Sequence, residues 1–202
     1  MPATAGRPGG YPATFRFDAP ERIANWRPLV QWLLAIPHML VLYALGVVSE
    51  VLSVISWFAI LFTGRLPEGL ANVQVMYLRY TLRTATYYGF LREEYPPFAF
   101  ATTPADPGDD PRVRVDVDPE LEGRNRLTVA FRFILVIPQL IVLVGLGIAV
   151  FFVGLVAFFA VLFTGRWPES LHTFVLGVAR WWLRVNAYAL LLTDEYPPFD
   201  MS

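Results

Sequence analysis

Cysteine and lysine are both absent from the 202 residues, and histidine occurs only at His38 and His172. Without cysteine there is no disulfide, no thiolate nucleophile and no cysteine-based zinc or iron–sulfur site. The two histidines fall in different segments with no carboxylate or hydroxyl at catalytic spacing, so both read as packing residues. No glycine-rich phosphate loop, nucleophile elbow or paired-carboxylate pattern occurs. The expectation is therefore no catalytic residue, no metal and no cofactor. All 16 basic residues are arginine against 17 acidic ones, and a net charge of −1 offers no basic field for nucleic acid. The first 28 residues lack the apolar run of a secretory leader, which reads as a retained N-terminus.

What the chain has in excess is apolar surface. Hydrophobic residues make up 55% and mean hydropathy is +0.47, against roughly 45–50% apolar in soluble domains. No charge occurs from Phe133 to Phe163, and the first half carries a matching run, Leu29 to Phe62, diluted by Gln31, His38, Glu50 and three serines. A helix needs roughly 20 such residues to cross the hydrocarbon of a bilayer, so both runs read as membrane segments.

The two runs belong to a repeat. Shifted by 101 positions, Ile36-Pro37 falls on Ile137-Pro138 and Phe62-Thr63-Gly64-Arg65 on Phe163-Thr164-Gly165-Arg166. Arg79 and Arg83 meet Arg180 and Arg184, and Glu94-Tyr95-Pro96-Pro97-Phe98 meets Glu195-Tyr196-Pro197-Pro198-Phe199. The division that follows is a disordered N-terminus (1–11), repeat 1 (12–101), a Pro/Asp/Gly-rich linker (102–111) and repeat 2 (112–202).

Within a repeat, alternation at Phe15 and Phe17, and at Val113, Val115 and Val117, predicts short juxtamembrane β-strands that pair. The apolar stretch Leu127 to Phe163 would be roughly 55 Å long as one helix, against a hydrocarbon core of about 30 Å. It predicts a transmembrane hairpin bent near Gly145 and Gly147, and near Gly46 to Glu50 in repeat 1, with Pro37 and Pro138 kinking the first arm. A hairpin also keeps every arginine on one face, the cytoplasmic one, together with both termini and the linker. The third segment, Leu70 to Leu91 and Leu171 to Leu192, predicts an amphipathic interfacial helix stopped by Tyr-Pro-Pro-Phe. The competing topology lets that helix span, at the cost of arginine in mid-membrane. The fold class expected is all-α integral membrane, in two tandem repeats of hairpin plus interfacial helix.

These motifs, Ile-Pro-(His/Gln), Phe-Thr-Gly-Arg-x-Pro, Arg-x-x-x-Arg and (Glu/Asp)-Glu-Tyr-Pro-Pro-Phe, resemble the bacterial membrane domain known as domain of unknown function 4389. That family is common in actinobacteria and often occurs in tandem, and the resemblance covers about 180 residues. It implies a multi-pass protein of the bacterial plasma membrane, with no activity, cofactor or catalytic residue to carry over. One departure is Glu50 at the first apex, where repeat 2 has Phe151.

Three candidate sites remain, each with a plainer reading. Arg65 and Arg166 either clamp lipid phosphate or anchor a helix turn. Arg79/Arg83 and Arg180/Arg184, each pair on one helix face, either bind anionic lipid or a partner, or else snorkel or pair with Glu94, Asp194 or Glu195. Glu50 is either a polar intramembrane site or a carboxylate standing in water at the apex. The function expected is a non-catalytic structural, scaffolding or lipid-interacting component. Its partners would be membrane lipids, anionic ones included, a membrane protein or a second copy, and not nucleic acid. The alternative is a component of a solute or ion transporter or channel, for which Gln31, Ser49, Glu50, Ser53 and Ser56 are the polar candidates. A membrane enzyme acting on lipids has the least support.

Overall fold

The structure, a computed structural model, describes residues 10–201; the expected disorder of the N-terminus lies, for residues 1–9, outside them. The alternating segments form strands β1 (Ala13–Phe17) and β2 (Val113–Val117), paired antiparallel with Phe15 opposite Val115. Their inward residues Ala13, Phe15, Val113, Val115 and Val117 are buried, while Arg16 and Arg114 point out. Tyr11 is already anchored, its hydroxyl donating to the Arg184 carbonyl at 3.1 Å.

The expected hairpins do not form. Repeat 1 has a short helix α1 (Arg27–Leu34) and then one unbroken helix α2 (Ile36–Thr63) of 28 residues. Repeat 2 has α4 (Arg126–Ala130), α5 (Arg132–Leu135) and an equally unbroken α6 (Ile137–Thr164). The excess length is taken up by a turn at Ala35, and at Phe131 and Val136, not by a bend at the glycines. The remaining 28 residues make a helix of roughly 42 Å. Pro37 and Pro138 stand in the first turn of the long helices. Ala35 and Val136, two residues before them, keep right-handed helical dihedrals, so the helical path continues across each proline with its hydrogen-bond ladder interrupted there. Glu50 consequently stands at the middle of α2 and at no apex.

Each long helix ends in a left-handed glycine, Gly64 (φ 72°) or Gly165 (φ 67°), whose N–H bonds back to Ile60 or Val161. After Pro67 and Pro168 come α3 (Glu68–Tyr88) and α7 (Glu169–Ala189), with Glu68 and Glu169 at their positive ends. Both stop well before Tyr-Pro-Pro-Phe, with Phe90 (φ 60°) and Leu191 (φ 65°) turning the chain. The proline pair therefore does not end the helix; it folds the next segment back.

The elements stack in three layers. The sheet and residues 102–111 cover α3 and α7, which meet one another and form the buried middle. The other faces of α3 and α7 receive α2 and α6, antiparallel to them. The repeats interlock reciprocally: Ile23 N–H donates to Gly165 O (2.8 Å), and Arg124 N–H to Gly64 O (3.3 Å). α2 and α6 (continued back to Arg132) are the two helices long and apolar enough to cross a membrane among the described residues. Only 17% and 6% of their most apolar windows are buried, so most of their apolar surface lies outside the core of the chain. Leu40, Tyr43, Phe62, Ile141 and Phe163 lie exposed.

Candidate functional site

The repeated arginines come to different ends. Arg79 and Arg83 are 2% and 1% exposed beneath the sheet. Arg79 donates to the carbonyls of Val115, Ala101, Thr103 and Pro104 at 2.9–3.2 Å. Its Nε stands 3.4 Å from Asp106, whose other oxygen is 2.7 Å from Arg83. Asp106 also accepts the N–H groups of Val115 and Gly108 at 2.9 Å. Beside this cluster Arg92 meets both oxygens of Asp110 at 2.7 Å. Segment 102–111 is thus a wedge that supplies two buried carboxylates. Asp106, Asp110 and Arg92 were not singled out in the sequence, because carboxylates in a Pro/Gly-rich stretch read as a solvated turn.

Arg180 and Arg184 lie across the pseudo-symmetric position in a cleft of about 550 Å³, lined with Tyr11, Thr14, Arg16 and Glu195. Arg184 is buried and its Nε reaches the Arg180 carbonyl at 3.4 Å, while Arg180 is half-buried. Arg65 and Arg166 are exposed at the C-terminal ends of α2 and α6, where a cation complements the helix dipole. Arg65 is 3.8 Å from Glu122 with both side chains more than two-thirds exposed, a pair of little energetic weight. Thr63 and Thr164 shape these turns, accepting the N–H of Arg65 and Arg166 at 3.1 and 3.3 Å.

Repeat 2 has its own ionic lock. Arg124 and Arg132 both reach Asp194, which also accepts the Asn125 N–H at 2.7 Å. Burial would raise the Asp194 carboxyl, but the hydrogen bonds from Arg124 and Asn125 and the charges of both arginines hold it below the ordinary carboxylate value. At the matching place Glu93 accepts the Ala24 N–H and stands 3.8 Å from Arg27. Glu94 is likewise held low: burial opposes, and the Arg112 guanidinium at 2.6 Å prevails.

Aromatic packing explains the Tyr-Pro-Pro-Phe tails. Tyr95 meets Tyr87 edge-on at 5.4 Å, and Tyr196 meets Tyr188 in the same way at 5.4 Å. Phe98 stacks on His38 at 4.3 Å, and Phe199 meets Trp181 edge-on at 5.8 Å. His38 Nδ1 shares a 2.6 Å hydrogen bond with the Tyr80 hydroxyl, and His172 packs between Phe17 and Trp167.

The serines of α2 face inward, and so does Gln31 of α1. Ser49 donates to Gln74, whose amide donates to Ser49 O (2.8 Å) and Ser53 Oγ (3.0 Å). Gln31 donates to Tyr87 O and Arg92 O at 2.7 and 2.6 Å, and Ser56 is buried. Glu50 is exposed, without a hydrogen bond or ion pair among the described residues. Helical spacing sets it on the flank of the outward face, beside Gly46 and Ser53, and off the line of Leu40, Val47, Val54 and Phe58. Among the described residues no group of three or more His, Cys, Asp or Glu is placed to hold a metal ion.

A family model for a domain of unknown function (DUF4389) matches this chain twice, over residues 25–99 and 126–200. The two matches cover most of the chain and start just before each short helix. No curated protein and no solved structure matches.

Proposed function

The chain belongs to the DUF4389 family as a tandem of two such domains, and from that premise we propose that it is a non-catalytic, lipid-interacting structural protein of the bacterial plasma membrane. In this reading α2 and α6 lie along one leaflet with their outer faces in lipid, while the sheet and the ion-paired layer stand in the cytoplasm with both termini. One observation carries it: α3 accompanies α1 and the first half of α2. Contacts run from Gln31 with Tyr87, through His38 with Tyr80, to Ser49 with Gln74. The same helix also carries Arg79 and Arg83, which bond to the sheet and its preceding segment, and the sheet's Arg16 and Arg114 are exposed. If α2 stood across the bilayer, this charged layer would sit at hydrocarbon depth, at a cost of several kcal/mol per unshielded arginine. A flat α2 avoids that, and it leaves Arg27 and Arg65, which bracket the α1–α2 segment, on the same cytoplasmic face. Arg65 and Arg166 then meet headgroups, including anionic ones.

A spanning, multi-pass seat is the second reading, because roughly 42 Å of helix matches a bilayer of about 40–45 Å with its headgroups. The absence of cysteine makes the two separable by single spin labels. Labels would replace Leu40, Val51 and Phe62 on α2, and Ile141, Phe152 and Phe163 on α6, in liposomes. The flat seat gives similar depths at all three positions of a helix, from oxygen and nickel-chelate collision rates. A profile deepest at 51 and 152 and shallow at both ends overturns it in favour of spanning.

A further inference from the structure

The repeats differ in one apolar cavity. Between α3, α6 and α7 lies a mostly apolar pocket of about 350 Å³, lined by Ala85, Tyr88, Gly147, Val150, Val178 and Trp182 among others, with Thr81 and Thr86 in its wall bonding their hydroxyls to backbone carbonyls. The corresponding positions of repeat 1 carry bulkier and more polar side chains. Gly46, Ser49, Gln74 and Tyr77 stand where repeat 2 has Gly147, Val150, Val175 and Val178. Gln74 ties Ser49 to Ser53 by hydrogen bonds. The Tyr77 hydroxyl comes within 3.7 Å of the position a Cβ on Gly46 would occupy, whereas nothing comes within 4 Å of the same position on Gly147. The substitution of valine for tyrosine and for glutamine thus removes both the bulk and the polar groups found at the first site.

An apolar hollow does not hold water, which needs polar partners, and an empty one forfeits packing. Gly147 is exposed on the flank of α6, so the pocket opens beside the outward apolar face that Ile141, Val144 and Phe152 present. Hydrocarbon is the material that meets that face if α6 lies in lipid. We propose that this pocket takes one acyl chain of a membrane lipid, inserted beside α6 at Gly147, and that repeat 1 has no such site. The inference rests on the lipid-facing reading of α6.

The test uses the full chain in nanodiscs holding a phospholipid with a photoactivatable diazirine midway along one acyl chain, and maps the adducts by mass spectrometry. Adducts are expected several-fold more often at Val150 and Val178 than at their counterparts Ser49 and Tyr77. Val178→Tyr, which imports the plug of repeat 1, should cut the pocket adducts several-fold and leave those at Ile141, Val144 and Val156 unchanged. Gly147→Leu is a second plug, acting from the other wall, should the tyrosine variant fail to fold. Equal labelling of the two sites, or pocket adducts undiminished in a folded plug variant, overturns the proposal while leaving the lipid seat of α6 intact. Absence of adducts from Ile141, Val144 and Val156 as well overturns the seat itself, and the pocket proposal with it.

Discussion

The two repeats hold an arginine pair at the same place on the same helix and use it differently. Arg79 and Arg83 are sealed by Asp106 from the segment that precedes β2. Arg180 and Arg184 border a cleft lined by Tyr11, just before β1, and by Thr14 and Arg16 within that strand. Elsewhere the repeats change in matched pairs. His38 bonded to Tyr80 becomes Gln139 bonded to Trp181 at 2.8 Å. Gln31, bonded to the carbonyls of Tyr87 and Arg92, becomes Arg132, bonded to those of Tyr188 and Thr193. The lesson is that equal positions preserve a skeleton of helix ends and aromatic clasps, while the buried polar partners are settled locally, two at a time. A residue repeated in sequence is therefore a marker of place more than of role.

The largest break in that comparison should come at Asp106. Asp106→Ala leaves two arginines buried without their carboxylate, and removing one partner of such a cluster costs about 3–5 kcal/mol. Arg180→Ala, half-buried in the cleft of repeat 2, should cost about 1 kcal/mol, the centre of the range for single substitutions. Denaturant unfolding in a mild detergent reads both. Equal losses at the two positions would mean that the cleft of repeat 2 is closed by contacts as strong as those of the wedge.

Next in size is a test of pairwise exchange. Trp181→Tyr removes the donor to Gln139 Oε1 and strands a buried acceptor, worth about 1–3 kcal/mol. Adding Gln139→His rebuilds the His38–Tyr80 arrangement in repeat 2 and should recover about 1 kcal/mol, seen as coupling in a double-mutant cycle. Additive losses would show that each pair depends on its wider surroundings and not on the partner alone.

Much of this architecture was open to a reader of the sequence. The repeat, the two strands, the long apolar helices and the turns at Gly64 and Gly165 follow from periodicity and residue chemistry. No hairpin forms because the apolar stretch is not one continuous helix: a short helix precedes a single helix of 28 residues in each repeat. A helix broken at Ala35 or Val136 has no signal in an apolar run except the proline that follows, and that proline reads equally as a kink. The buried charges were hidden for another reason. Arg79 and Arg83 declare a helix face, but their partner lies more than twenty residues away in a segment whose composition describes solvent. The third layer, which turns an interfacial helix into a buried one, exists only once the sheet folds over it.

A smaller effect separates the locks by pH. Asp194 and Glu94 are both held below their ordinary values, so the unfolded chain binds their protons first. Their stabilising contribution is complete above the ordinary carboxylate range near about pH 4 and is lost as pH falls through the lowered folded values. Asp194→Asn should flatten the acid limb of a stability–pH curve, and Glu94→Gln should do so less, because its side chain is 38% exposed against 14%. An unchanged acid limb in Asp194→Asn would remove this carboxylate from the account of acid stability.

The smallest effect is expected at Glu50, where the repeats differ most in character. It has no partner among the described residues, so Glu50→Leu should change detergent stability by no more than about 0.5 kcal/mol. Its surroundings are what the substitution probes. On the flank of a flat α2, the carboxylate reaches the headgroup border, and binding of the protein to liposomes should rise slightly when leucine replaces it. The reciprocal variant Phe151→Glu puts a carboxylate on the same flank of α6, and under the same geometry it should also fold and bind, with a modest loss. In a spanning α6 that carboxylate would lie at mid-bilayer, where insertion of a charge costs about 2.5–3.5 kcal/mol or more. A collapse of membrane yield in Phe151→Glu, with Glu50 tolerated at the matching depth of α2, would therefore count against the flat seat. It would also require repeat 1 to supply its glutamate with a polar contact from a neighbouring molecule.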